Sequence, residues 1–200
     1  MEITAKLVKQ LRDETGVQMM VCKEALKETD GNLEEAKLLL RKKGIEISGA
    51  RDNKEANAGI LYSYNHDNRV GVMIELRCET DFVAKNEEFH ELAKIIAMHI
   101  AWAKPIAVDE NGVEDDVYCR EVRVAKSQIP EEKLKFATQI LDGKMKKFFE
   151  KVCLLNQKEL QVSEGQMTIG EMVKELSGKV GEKIEIRRFI RLEVGEEVGE

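Results

Sequence analysis

The chain has 200 residues, 42% of them apolar, which suffices for one or two compact domains whose core needs neither disulfides nor a structural metal. A formal net charge of −6 argues against a direct nucleic-acid binder, whose phosphate contacts require clustered Lys and Arg, so the expected partner is a protein or a small molecule. Neither a signal peptide nor an apolar run of about 18 residues occurs, which disfavours secretion and any membrane association by a spanning helix.

Residues 1–44 read as three short helices. Thr4 can cap the first, which carries Leu7, Val8 and Leu11 on one face and ends near Gly16. Thr15 and Gln18 have the form of a capping box for the second, Val17 to Glu28. Asp30-Gly31-Asn32 makes a turn, and Leu33, Ala36, Leu39 and Leu40 mark the third helix before Gly44 stops it. Adjacent Met19 and Met20 point about 100 degrees apart on their helix, so a core this thin does not take both fully. One is a candidate contact, with gap filling as the alternative. Residues 45–58 lose the periodicity and read as a polar linker.

A hairpin follows, with Ile60, Tyr62 and Tyr64 alternating, turn chemistry at His66-Asp67-Asn68, and alternation again from Val70 to Leu76. The strand pattern then gives way to helical spacing at Phe89, Leu92, Ala93, Ile96 and Ile100. The junction is Cys78-Glu79-Thr80-Asp81-Phe82-Val83-Ala84-Lys85-Asn86, with Asn86 placed to cap the helix from about Glu87 to Ala103. On spacing alone the ordinary reading is that Thr80 or Asp81 caps a helix and Phe82 is buried. The alternative is that the junction projects Phe82 away from its domain.

Pro105 ends the long helix and Asp109-Glu110-Asn111-Gly112 forms a turn. Residues 114–128 and 131–142 look helical with Pro130 between them, and Gly143 to Val152 reads as a basic amphipathic helix whose lysines are a solvated face. Thr168 caps a helix carrying Ile169, Met172, Val173 and Leu176 that ends near Gly178. Ile184, Ile186, Ile190 and Leu192 alternate as a last strand, interrupted on its apolar side by Arg188, that returns to the hairpin. The expected fold is α+β: a three-helix bundle over 1–45, a linker over 46–58, and a core over 59–200 of about three antiparallel strands packed with helices.

No GxSxG, HExxH, Walker loop or GxGxxG occurs, so the sequence offers no catalytic residues and no cofactor site. His90 and His99 lie on opposite sides of one helix, and His66 has no second ligand at a useful spacing. Cys22, Cys78, Cys119 and Cys153 are dispersed within apolar patterns, which predicts buried, reduced thiols in a cytoplasmic protein.

The run Glu2-Ile3-Thr4-Ala5-Lys6-Leu7-Val8-Lys9-Gln10-Leu11-Arg12-Asp13-Glu14-Thr15-Gly16, continued by Met19-Met20-Val21-Cys22-Lys23-Glu24-Ala25-Leu26, resembles the opening of the translation elongation factor Ts family. Cys78 to Asn86 resembles that family's most distinctive motif. Lys146-Lys147-Phe148, Val152-Cys153-Leu154-Leu155-Asn156-Gln157 and Gly181 to Phe189 follow in the family's order. Val21 stands where the family usually has Asp, and Lys158-Glu159 where it often has Pro-Phe.

The resemblance implies a guanine-nucleotide exchange factor, not an enzyme, acting on elongation factor Tu, with an N-terminal bundle similar to ubiquitin-associated domains. It implies that Asp81 and Phe82, within Thr80 to Val83, enter the partner's nucleotide domain and displace the elements holding magnesium and phosphates. It assigns Arg12, Met19 and Met20 to contacts with the same domain. The length is that of the short form with a single core subdomain, which implies a possible homodimer through the core sheet. Two other readings stay open. One is a helical-peptide or ubiquitin-like binding module on a passive scaffold, and the other is a cysteine- or metal-dependent enzyme.

Overall fold

The computed structural model describes residues 3–17, 19–51, 53–130, 135–159 and 167–196, with the side chains of 41 and 43–50 outside the described set. The chain forms two compact units. The first draws on Met1–Tyr62, Glu75–Ala93 and Glu171–Ile186, the second on Ser63–Ile74, Lys94–Gly170 and Arg187–Glu200.

Three helices open the first unit: α1 (Ala5–Thr15), α2 (Met19–Glu28) and α3 (Leu33–Ala50). Thr4 caps α1 as expected, its hydroxyl accepting from the Leu7 N–H at 3.4 Å. Gly16 closes it in the left-handed region at φ 68°, donating its N–H to the Arg12 carbonyl at 2.7 Å. Asn32 caps α3 through its side-chain oxygen, which accepts from the Glu34 and Glu35 N–H groups. The bundle's core is Val8, Leu11, Cys22, Ala25, Leu26, Ala36 and Leu40. Each fully buried Leu contributes about 1.5–3 kcal/mol relative to exposure, and this core has two, Leu11 and Leu26, with Leu40 nearly so.

The sheet has order β1-β2-β3, built from β1 (Ala58–His66), β2 (Val70–Cys78) and β3 (Ile184–Glu193), antiparallel as expected. The β1-β2 turn places Asp67 and Asn68 at φ 51° and 55°, which suits a two-residue hairpin turn at residues that tolerate it. Gly59 lies so near β2 that a Cβ there would stand 2.3 Å from the Leu76 carbonyl oxygen, a spacing only glycine permits. A single turn, α4 (Asp81–Ala84), precedes α5 (Glu87–Ala103), whose buried residues Phe89, Leu92, Ala93, Ile96, Ala97 and Ile100 follow the helical period. Asn86 caps α5, accepting from the Glu88 N–H at 2.9 Å. The remaining helices are α6 (Asp115–Ser127), α7 (Ala137–Val152) and α8 (Ile169–Val180).

Several boundaries differ from the sequence reading, and glycine explains most of them. α3 runs past Gly44 to Ala50, α7 crosses Gly143 without a break, and α8 passes Gly178. A glycine inside a helix costs about 1 kcal/mol relative to alanine, too little to stop one that packing favours. The glycine that does end α8 is Gly181, at φ 73°, with its N–H on the Ser177 carbonyl. α2 starts at Met19 rather than Val17, and the Thr15 hydroxyl donates back to the Leu11 carbonyl at 2.7 Å. The Gln18 half of the expected capping box lies outside the described residues.

The last strand also departs from its expected alternation. Ile184 and Ile186 are buried, but Arg187 and Arg188 are both exposed, after which the odd positions Phe189, Arg191 and Glu193 turn inward. The shielded positions thus change from even to odd partway along the strand. This leaves Ile190 and Leu192 at 58% and 60% exposure. In the second unit Arg191 reaches the Ala101 carbonyl of α5 and pairs with Glu193 and Glu196. Cys119 is likewise exposed, on α6, whose buried residue is Ala125, so the expectation that every thiol is buried fails there. Cys22, Cys78 and Cys153 are buried.

Candidate functional site

β2 ends at Cys78 and the chain turns once through α4 before entering α5, so Thr80 to Val83 stand on a single helical turn between two longer elements. That turn is closed by the Ala84 N–H on the Thr80 carbonyl and the Lys85 N–H on the Asp81 carbonyl, both at 3.2 Å. Its inner side carries Val83, 8% exposed, and Ala84. Its outer side carries Thr80, Asp81 and Phe82, and Phe82 is 89% exposed. The ordinary reading of Phe82 as core is therefore wrong. With one turn of helix anchored inward at Val83 and Ala84, the residue before them has nowhere to point but outward.

Thr80 occupies the N-cap position at φ −130° and ψ 156°, yet its side chain makes no cap bond. The hydroxyl instead donates to Glu182 Oε1 at 2.6 Å, and the Thr80 N–H donates to Glu182 Oε2 at 3.0 Å. The reverse bond is also present: the Lys183 N–H donates to Glu79 Oε1 at 2.6 Å, and Arg51 Nη1 reaches the same oxygen at 2.8 Å. These bonds, the Lys183 amide first and Arg51 after it, hold the Glu79 carboxyl below its ordinary value. The Cys78 thiol donates to the Thr80 carbonyl at 3.2 Å. Burial, then the Glu182 carboxylate, pushes that thiol up to about 11, so it stays protonated at neutral pH.

Beside the turn lies an open hollow of about 390 Å³ lined by Gly16, Phe82, Val83, Asn86, Glu88, Lys179 and Val180. Lys179 and Glu88 form an ion pair across it at 2.6 Å. A Cβ at Gly16 would meet Lys179 Cε at 2.2 Å, so the loop between α1 and α2 reaches the same hollow as Phe82. Arg12 is exposed in the last turn of α1, and Met19 and Met20 open α2 at 46% and 67% exposure. Thr80, Asp81, Phe82 and Val83 thus share one turn, while Arg12, Met19 and Met20 flank Gly16 without lining the hollow.

Glu79, Glu182, Glu88 and Lys179 were not singled out by the sequence. Glu79 and Glu182 fall within the stretches Cys78 to Asn86 and Gly181 to Phe189 without a role of their own, and no spacing joins Glu182 to Thr80, 102 residues away. Among the described residues no group of three or more His, Cys, Asp or Glu side chains is arranged to hold a metal ion. No helix among them is long and apolar enough to cross a membrane. The arrangement is suited to recognition by shape and hydrogen bonding.

The sequence model of the family described as Elongation factor TS matches residues 8–196. Elongation factor Ts of Desulfotalea psychrophila is 45% identical over 200 residues, covering 98% of this chain and all of the relative. That of Thermodesulfovibrio yellowstonii is 43% identical, covering 98% of each chain. That of Thermosipho melanesiensis is 44% identical, covering 97% of this chain and all of the relative. With a match along nearly its whole length to the family model and to relatives of its own size, the chain belongs to the elongation factor Ts family of translation elongation factors.

Proposed function

We propose that this protein binds elongation factor Tu carrying GDP and promotes GDP release by inserting Asp81 and Phe82 into the partner's nucleotide domain. The observation that carries the reading is Phe82, 89% exposed on a turn whose neighbours Val83 and Ala84 are buried. An aromatic ring held out this way is the kind of anchor that fills a partner's pocket. The Asp81 carboxylate beside it competes for polar groups near the partner's magnesium and phosphates. Val83 acts from within, as the anchor that keeps its neighbours outward.

Residues 1–45 form the second grip in this reading, with Arg12, Met19 and Met20 facing the same partner domain. The exposure of two methionines at the start of α2 favours an adaptable apolar contact there. Residues 46–58 connect the grip to the core at 59–200, and the Arg51 to Glu79 pair links that connection to the turn bearing Phe82. No bond is made or broken in such exchange, so neither a catalytic group nor a cofactor is needed. The protein acts in the cytoplasm, where its partner works.

A second copy of the chain is the other proposed partner. In the second unit Met73, Ile190 and Leu192 are exposed apolar side chains of β2 and β3, and β3 is an edge strand. Pairing these surfaces between protomers would cover them.

Reciprocal coupling supplies the equilibrium test. If the factor binds nucleotide-free elongation factor Tu more tightly than the GDP complex, it weakens GDP binding by the same ratio. Titration calorimetry on all four edges of that cycle should give equal ratios well above one. Equal affinity for the two partner states would rule the reading out.

A further inference from the structure

We propose that Glu182 is a positioning residue for the Phe82 projection, acting through Thr80; its consequence for GDP release rests on the exchange reading above. α4 has only four residues, far too few for a helix to persist on its own. Its direction is therefore set by what holds its ends. At its C-terminal end Val83 and Ala84 are buried and Asn86 caps α5. At its N-terminal end Thr80 is held by Glu182, which accepts both the backbone N–H and the hydroxyl of this one residue.

Two bonds from one carboxylate fix the Thr80 backbone and its side chain together, and charge-assisted bonds of this kind are stronger than neutral ones. Glu182 is itself fixed. The Gly181 N–H donates to the Ser177 carbonyl at 2.9 Å, and the Ser177 hydroxyl donates to the Glu182 carbonyl at 2.6 Å. The Lys183 N–H closes the frame on Glu79. Residues 79–80 and 182–183 therefore hold one another through an exchanged pair of carboxylates. Thr80 forgoes its usual capping bond in favour of this one. A projection oriented before encounter spends less binding energy on ordering itself.

The test uses the full-length protein and two readouts. In Glu182→Ala, amide hydrogen exchange at Thr80, Ala84 and Lys85 should accelerate about tenfold or more, with the Val72 and Ile74 amides of β2 unchanged. The maximal rate of GDP release from elongation factor Tu should fall about tenfold while the half-saturating concentration moves less than about threefold. Glu182→Gln, which keeps one acceptor oxygen, should recover part of both. In a Phe82→Ala background, Glu182→Ala should remove far less than it does in the unaltered protein, because only the Asp81 contact is left to misplace. Unchanged amide protection in Glu182→Ala overturns the proposal whether or not the protein drives exchange, and so does additivity of the two substitutions in an active factor. Failure of the unaltered protein to accelerate GDP release overturns the exchange reading alone, and the amide result still decides the role of Glu182.

Discussion

Phe82 and Phe89 are seven residues apart in one unit, and they differ as much as two phenylalanines can. Phe89 is fully buried at the start of α5, while Phe82 is 89% exposed on the turn before it. Both follow acidic residues and both fit a helical spacing. What separates them is the frame. Phe89 sits on the inward stripe of a 17-residue helix, whereas Phe82 is carried by a four-residue turn whose inward positions are already taken by Val83 and Ala84. One ring helps hold the protein together, and the other stands in solvent.

The sharpest way to break this comparison is to truncate both rings. Phe89→Ala should cost about 3–5 kcal/mol of stability in chemical denaturation, while the molecules that remain folded still release GDP from elongation factor Tu normally. Phe82→Ala should leave the unfolding free energy within about 0.5 kcal/mol and lower the maximal release rate about thirtyfold, as expected for an interface anchor. If both variants lost stability alike, Phe82 would be core and the distinction would collapse.

Smaller effects sharpen the picture. The proposed pairing of two copies through the sheet predicts a dimer in analytical ultracentrifugation that Leu192→Lys converts to monomer, because it puts a charge on the exposed apolar side of β3; a monomeric unaltered protein, or a mass that the substitution leaves unchanged, would remove the sheet as the contact. Arg12→Ala and Met20→Ala should each weaken association about fivefold with little change in the maximal rate, as expected for contacts at the rim of an anchor. Unaltered affinity in both would detach the N-terminal bundle from the interface.

The smallest expected effect is one of pH. His99 is buried in the second unit, its Nε2 donating to Gln157 Oε1 at 2.9 Å while the Gln157 amide donates to the Lys151 carbonyl. Burial, opposed by the Gln157 bond and Glu159, lowers its pKa below the ordinary 6.5. The folded state thus favours the neutral ring, so this contribution is complete above pH 6.5 and is lost as pH falls through the folded value. The shifted carboxylates Glu14, Glu79 and Glu193 lose theirs only below 4.5, Glu193 toward about 2. The melting temperature should therefore fall as the pH is lowered below 6.5 in the unaltered protein and stay flatter there in His99→Gln.

Much of the fold was legible because it rests on local signals. Thr4, Asn86 and the Asp67-Asn68 turn each do what their residue types predict, and β1, β2 and α5 follow their periods. Gly44, Gly143 and Gly178 misled because a glycine's helix cost is small and packing overrides it. Arg187 and Arg188 hid the change of phase in β3, since the apolar letters still alternate across it. The candidate site was legible only in part. Sequence spacing left Phe82 undecided, and no local pattern announces that Glu182 accepts from Thr80 across 102 residues.

The most direct test of the central claim is stopped-flow release of a fluorescent GDP from elongation factor Tu, with the unaltered protein and Phe82→Ala each titrated in. The account predicts strong acceleration by the first and its near loss in the second at equal fold stability. Equal acceleration by both, or none by the unaltered protein, would contradict it.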